Sequence, residues 1–241
     1  MRTIFLSCII FTFFIMLSGC AVVSVSQHQT AEMLGEGTVR VTGGVGVGRD
    51  LAEGTTYSPE MDEDSEIMYG FPLFEVGLGV GVTEKLDIGG MFWTGLGGAG
   101  LRTYAKFAIP STGAYTSYAF APVLVYSNTE GERTVFGDTD EFDYLLLGLE
   151  LPLLISYRAT SGVSFYGSGR VHLYNLAIDD PGFTDGRESF FIAMPGVTGG
   201  IQLRAAGIDI TPEVSAFYIY DRIKESGTVR FFPNFGLSFR F

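Results

Sequence analysis

The chain has 241 residues, a formal net charge of −12, 33 Gly and 21 Phe, and only 17 % charged residues. A negative charge of this size argues against nucleic acid as a partner. The charged fraction also lies below the roughly one quarter usual for soluble domains, so something other than a plain aqueous core is being built.

The N-terminus carries one basic residue, Arg2, an apolar run from Ile4 to Leu17 and then small residues. That is the layout of a secretory signal and too short for a comfortable spanning helix, so residues 1–19 are expected to be removed. The stretch Leu17-Ser18-Gly19-Cys20 resembles the lipobox of bacterial lipoproteins. The resemblance implies cleavage before Cys20, a diacylglyceryl thioether on its sulfur, an acylated amino group, and the lipoprotein-processing machinery as a partner. Ala21 follows, in place of the Asp that in the family often retains lipoproteins at the inner membrane. Cys8 leaves with the leader and Cys20 carries lipid, so no disulfide is expected in the mature chain. Loss of Arg2 makes the mature chain one unit more negative. Residues 20–34 read as a lipidated polar tether in which His28 is solvated.

Residues 35–241 form a succession of about ten segments with period-two alternation: 36–48, 71–82, 86–94, 100–109, 115–126, 142–157, 163–176, 189–204, 208–220 and 228–241. The connections alternate in length. Long ones (49–70, "GLGGA", 127–141, 177–188 and "DRIKESG") follow the odd segments, and brief ones ("TEK", "PSTGA", "RATSG" and "AAG") follow the even segments. Short turns on one side and longer loops on the other are the pattern of an all-β, antiparallel, up-and-down transmembrane β-barrel. The expected location is the outer membrane, with both termini periplasmic and the lipid on Cys20 in the inner leaflet beside the first strand. Outer-membrane lipids and lipopolysaccharide then become partners.

The faces agree with that reading. In the sixth segment Leu145, Leu147, Leu149, Leu151, Leu153, Ile155 and Tyr157 share one face, and Tyr144, Glu150 and Ser156 share the other. Val163, Phe165, Val171 and Leu173 oppose Ser164, Ser168, Arg170 and His172 in the seventh. Leu101, Phe107 and Ile109 oppose Arg102 and Lys106 in the fourth, and Ile208, Ile210 and Val214 oppose Asp209 and Glu213 in the ninth. Charge therefore lines a lumen, because Arg or Lys facing lipid at mid-membrane costs about 2–4 kcal/mol.

The chain closes with "NFGLSFRF", where Phe235, Leu237, Phe239 and Phe241 alternate with small or polar residues. A barrel has no free edge, so this strand is expected to pair with the first. The tail also resembles the C-terminal signal by which outer-membrane barrels are recognised by their assembly machinery, and its terminal Phe is typical. Gly77, Gly79 and Gly81 share the inward face of the second segment, and one register through "TEK" sets them opposite Trp93, Met91 and Gly89.

No motif carries chemistry firmly. "GLGGAG" formally satisfies a dinucleotide fingerprint, but the strand-like "LRTYAKFAI" follows it where a helix is required, so it is rejected and no cofactor or metal is expected. A lipid-modifying acyl hydrolase or acyltransferase would have to use His172. The hydrolases' His-x-Ser spacing reads here His172-Leu173-Tyr174, and Ser168 lies four residues away, roughly 13 Å along a strand. A charge network is the better reading: Arg102, Lys106, Arg170 and Arg204 against Glu150, Asp209 and Glu213, with His172 among them, Glu150 facing Arg170 or His172, and Arg204 facing Asp209. Arg40, Arg230, Arg240, Glu75 and Asp87 join it. About ten strands leave a narrow, largely filled interior. The acidic excess lies in two long connections, residues 51–70 and 128–143, where divalent cations could bridge carboxylates. "MDEDSE" lacks the ligand spacing of a dedicated calcium loop, which favours a solvated surface. The expected role is non-enzymatic: a surface or structural barrel, or a narrow path for small solutes.

Overall fold

Alternation with period two gives each strand an apolar face and a polar face, and the protein builds a strand wherever that pattern runs. The computed structural model describes residues 22–51, 71–95, 98–135, 138–179, 188–221 and 226–241. In chain order the strands are β1 (Val22–Val23), β2 (Val39–Asp50), β3 (Phe71–Thr83), β4 (Leu86–Gly95), β5 (Gly98–Ile109), β6 (Thr116–Phe120) and β7 (Val123–Val135). They continue with β8 (Asp138–Arg158), β9 (Val163–Asp179), β10 (Glu188–Ala205), β11 (Ile208–Asp221) and β12 (Ser226–Arg240). Neighbours pair antiparallel, and β12 closes the circle on β2, from Asn234 opposite Gly46 to Arg240 opposite Arg40. β6 and β7 are two halves of one crossing, so the molecule is a closed ten-stranded barrel. Pro122 divides them because it has no N–H for the ladder. Around it the Ala121 N–H turns to Pro152 O at 3.2 Å and Pro122 O accepts from the Ala105 N–H at 3.3 Å.

All ten expected segments fall on these ten crossings. One expected loop does not: much of the 127–141 stretch continues as paired strand, with β7 and β8 in register out to Val135 opposite Asp138. At 21 residues, β8 is about twice the 9–11 residues that cross a bilayer, so this hairpin projects beyond the barrel.

The short connections gather at one end, together with the seam where Val39 and Phe241 exchange main-chain hydrogen bonds of 3.1 and 2.9 Å. The long connections gather at the other. Large apolar side chains cover the outside, among them Phe74, Val76, Phe92, Leu124, Leu153, Val197 and Phe231, while charged and small side chains turn inward.

The glycine register differs from expectation by two residues. Gly77, Gly79 and Gly81 face Met91, Gly89 and Asp87, and Trp93 faces Glu75. A bulge between Gly81 and Thr83 lets Thr83 pair with Leu86 across a tighter turn, which draws the register along. Aromatic rings still cover strand glycines, with other partners: Trp93 lies over Gly100, and the Tyr104 hydroxyl over Gly79 and Gly89.

Candidate functional site in the barrel lumen

The N-terminal segment is the principal departure from the sequence reading. Expected as a solvated tether, residues 23–32 and Leu34 are buried. β1 pairs with the far end of β2, Val22 opposite Asp50 and Val23 opposite Arg49, at the end that carries the long connections. From there the chain runs down the lumen to Leu34 and reverses into β2 through Gly35 and Gly37, whose φ angles of 87° and 78° suit glycine. Val22 and Phe241 thus lie at opposite ends of the barrel, where both termini were expected on one side. An eight-stranded barrel is filled by its own side chains; ten strands leave more room, and here the segment takes it.

What holds the segment is mostly its main chain. Arg102 donates to the carbonyls of Ser24 and Ser26, Arg170 to that of Val25, and Lys106 to that of Glu32 at 2.7 Å. Glu213 accepts the Gln27 and His28 N–H groups at 2.6 and 2.9 Å, Asp87 accepts the Leu34 N–H at 3.1 Å, and the Ser156 hydroxyl accepts the Ala31 N–H at 2.7 Å. A chain outside any sheet must satisfy these groups somewhere, and a lumen side chain left without a partner would be costly. The two needs meet here. Side chains add to this: Ser24 and Ser26 donate to Glu75, Ser168 donates to Gln27, and His28, far from solvated, lies 2.9 Å from Glu75 and 3.9 Å from Glu213.

Other lumen charges pair with one another, while Arg40 donates to the Tyr104 hydroxyl at 3.5 Å. Arg102 lies 3.0 Å from Glu150, and Lys106 lies 2.8 Å from Asp87. Glu150 stands opposite His172 in the sheet, while Arg170 stands opposite Pro152. The expected Glu150–Arg170 contact is not formed: Arg170 reaches Val25 and lies over the Phe217 ring, 4.7 Å from its centroid. Near the short-turn mouth Asp209 binds Arg204 at 2.9 Å and Arg240 at 2.7 Å. Glu32, at the same mouth, binds Arg158 and Arg204, both at 3.0 Å. Burial opposes its charge, but those two hydrogen bonds outweigh it and hold its pKa below the ordinary carboxylate value.

Towards the long-connection end the lumen is apolar. Trp93, Tyr174, Leu176, Met194, Phe217 and Phe232 pack there with Val23 and Val25 of the segment. Inward parity on the strands could have found the aromatics; nothing in the strand pattern announced Ser24, Ser26, Gln27 or Glu32. Between segment and wall a cavity of about 30 Å³ remains, lined by Ser26, Gln27, Arg102, Tyr104, Glu150 and Arg170 among others. That is room for a water molecule and too little for a solute.

His172 is fully buried. Its Nδ1 is 2.8 Å from the Tyr174 hydroxyl, and that hydroxyl donates to Glu150 at 2.9 Å. Neither serine of its strand reaches it, because Ser168 is engaged with Gln27 and Ser164 donates to Glu32 at 3.3 Å. Among the described residues no group of His, Cys, Asp and Glu side chains is arranged for a metal ion. Cys20, most of the 51–70 connection and the side chains of residues 129–142 lie outside the described residues.

No protein-family model matches the chain, and no curated protein matches its sequence. Solved structures do resemble it in shape. The translocator domain of the autotransporter NalP from Neisseria meningitidis is 11 % identical with a TM-score of 0.46, over 89 % of this chain and 90 % of that one. The outer membrane protease OmpT from Escherichia coli is 12 % identical at 0.43, over 85 % and 94 %. Ail, the attachment invasion locus protein of Yersinia pestis, is 12 % identical at 0.37, over 86 % and 99 %. The roles those names give belong to those proteins.

Proposed function

We propose that the chain is an integral outer-membrane barrel, lipid-anchored at Cys20, whose lumen is closed by its own N-terminal segment and which serves at the cell surface without catalysing a reaction. The occupied lumen is the observation that carries this reading: buried charges bind the segment's main chain on several sides, and the aromatic layer lies above them. Membrane placement is supported by the apolar exterior of a closed sheet, since only a closed barrel satisfies every strand's main chain in lipid. The terminal Phe241 beside the seam fits insertion by the barrel-assembly machinery, and the outward aromatics suit contact with outer-membrane lipids and lipopolysaccharide. Divalent cations at the acidic connections remain part of the proposal as surface partners.

Conductance tests it. Purified protein in a planar bilayer should show no sustained current, while a variant lacking residues 24–32 should conduct steadily. A steady current from the full chain would refute the closed lumen. The competing reading, a lipid-modifying enzyme centred on His172, draws support from the hydrogen bonds joining His172, Tyr174 and Glu150. It is opposed by the absence, among the described residues, of a serine hydrogen-bonded to His172, Ser164 and Ser168 being engaged with Glu32 and Gln27. Cells carrying His172→Ala should keep the lipid composition of wild type; an altered composition would favour the enzyme.

A further inference from the structure

The segment inside the barrel has a direction, and that direction decides where the N-terminus emerges. At its lower end the path is fixed by the Gly37 N–H donating to Gly81 O at 2.9 Å, beside the seam formed by Val39 and Phe241. At its upper end it is fixed by Val22 and Val23 pairing with Asp50 and Arg49, the last two residues of β2. β2 has twelve residues and rises about 40 Å. Strands tilt in a barrel, so the twelve peptide steps from Val22 to Leu34, at up to about 3.3–3.6 Å each, span that height even with the left-handed turn at His28, φ 46°. Ordered contacts confirm the sequence of depths: Glu75 and Arg102 meet Ser24 and Ser26, Ser156 meets Ala31, and Asp87 meets Leu34.

We infer that the barrel carries its own N-terminus through the lumen and presents it at the outer surface, at the mouth opposite Phe241. Cys20 precedes Val22 by two residues, a reach of about 7 Å, whereas the other mouth lies a bilayer core of about 30 Å away. Acyl groups on Cys20 therefore belong to the outer leaflet, the reverse of an anchor beside the first strand on the periplasmic side. They cannot thread a lumen this full once it is closed. The segment has to be in place before β12 meets β2.

The naming of one mouth as outer rests on the outer-membrane reading above; the path through the lumen does not, and two measurements separate them. For the path, cysteines at Val22 and Asp50 in one chain should form a disulfide in the folded, heat-modifiable barrel, identified as a cross-linked peptide by mass spectrometry. For the side, an epitope inserted between Ala21 and Val22 should bind antibody on intact cells. The reference is Ser161→Cys, in a short turn at the other end, which an impermeant maleimide should label only after permeabilisation. Failure to cross-link in a folded barrel overturns the path, and with it the inference, even if the epitope variant does not fold. Cross-linking combined with an epitope reached only after permeabilisation overturns the surface assignment. If Ser161→Cys is then labelled on intact cells, the orientation of the whole barrel is at fault and not the threading.

Discussion

The Arg102 guanidinium lies 3.0 Å from the Glu150 carboxylate, and both side chains are almost fully withdrawn from solvent. Glu150→Ala would strand that guanidinium in the lumen, and loss of one partner of a buried pair costs about 3–5 kcal/mol. Thermal unfolding in detergent should therefore fall sharply. Adding Arg102→Ala should recover part of the loss, whereas adding Arg170→Ala should not, because Arg170 is held by Val25. Asp209→Ala frees two arginines that keep partial access to water, and Arg204 keeps its contact with Glu32, so it should cost less than Glu150→Ala. Equal, small effects of Glu150→Ala and Asp209→Ala would point to a water-filled interior.

Gly100 leaves the space that the Trp93 ring occupies. A methyl group there forces the ring aside, and overpacking of this kind costs about 1–3 kcal/mol. Gly100→Ala should lower the unfolding temperature, and Trp93→Phe in the same chain should restore part of it. A neutral Gly100→Ala would show that the ring does not sit on this glycine.

Strand positions and faces were legible because a barrel repeats one physical demand every second residue. Leu153 and Leu154 could be sent to opposite sides on parity alone. Parity does not fix depth, however, so Glu150 could be brought to the right face without its partner: Arg102 stands two strands away, and no alternation links the two. The threaded segment was invisible for a different reason. Gln27, His28 and Ala31 are bound largely through N–H groups that every residue but proline carries, so no side-chain pattern marks them.

Acid should loosen the short-turn mouth. Glu32 has a folded pKa below its ordinary value of 4.5, so its contribution is complete above that value and is lost as pH falls through the folded one. Stability measured against pH should decline in this acid range, and Glu32→Gln should flatten the decline. An unchanged acid limb in Glu32→Gln would assign it to other carboxylates.

Phe241 joins the seam through two main-chain hydrogen bonds to Val39, and its ring lies exposed on the outside. Phe241→Ala keeps the hydrogen bonds, while deletion of the residue loses them as well. Both should slow assembly and increase periplasmic degradation, the deletion more than the substitution. Normal abundance and heat-modifiable migration in both would count against the tail as an assembly signal.

Cys20→Ser should abolish labelling by a fatty-acid analogue while the barrel still inserts, since its closure depends on strand pairing and not on the lipid. Full labelling of this variant would refute acylation at residue 20.

Only four residues separate Leu34 in the lumen from Val39 in the wall, and two of them are glycines in the left-handed region. So short a leash makes the contents of the lumen a tethered ligand. Its effective concentration depends on the leash, not on how much protein a cell makes, and for short links it reaches the millimolar range. Any detachment of the segment from the wall is met by rapid intramolecular rebinding, so an opening event would be brief. A free copy of the peptide would compete poorly at ordinary concentrations, and lengthening the leash at Glu36 would prolong openings without altering a single contact inside the barrel.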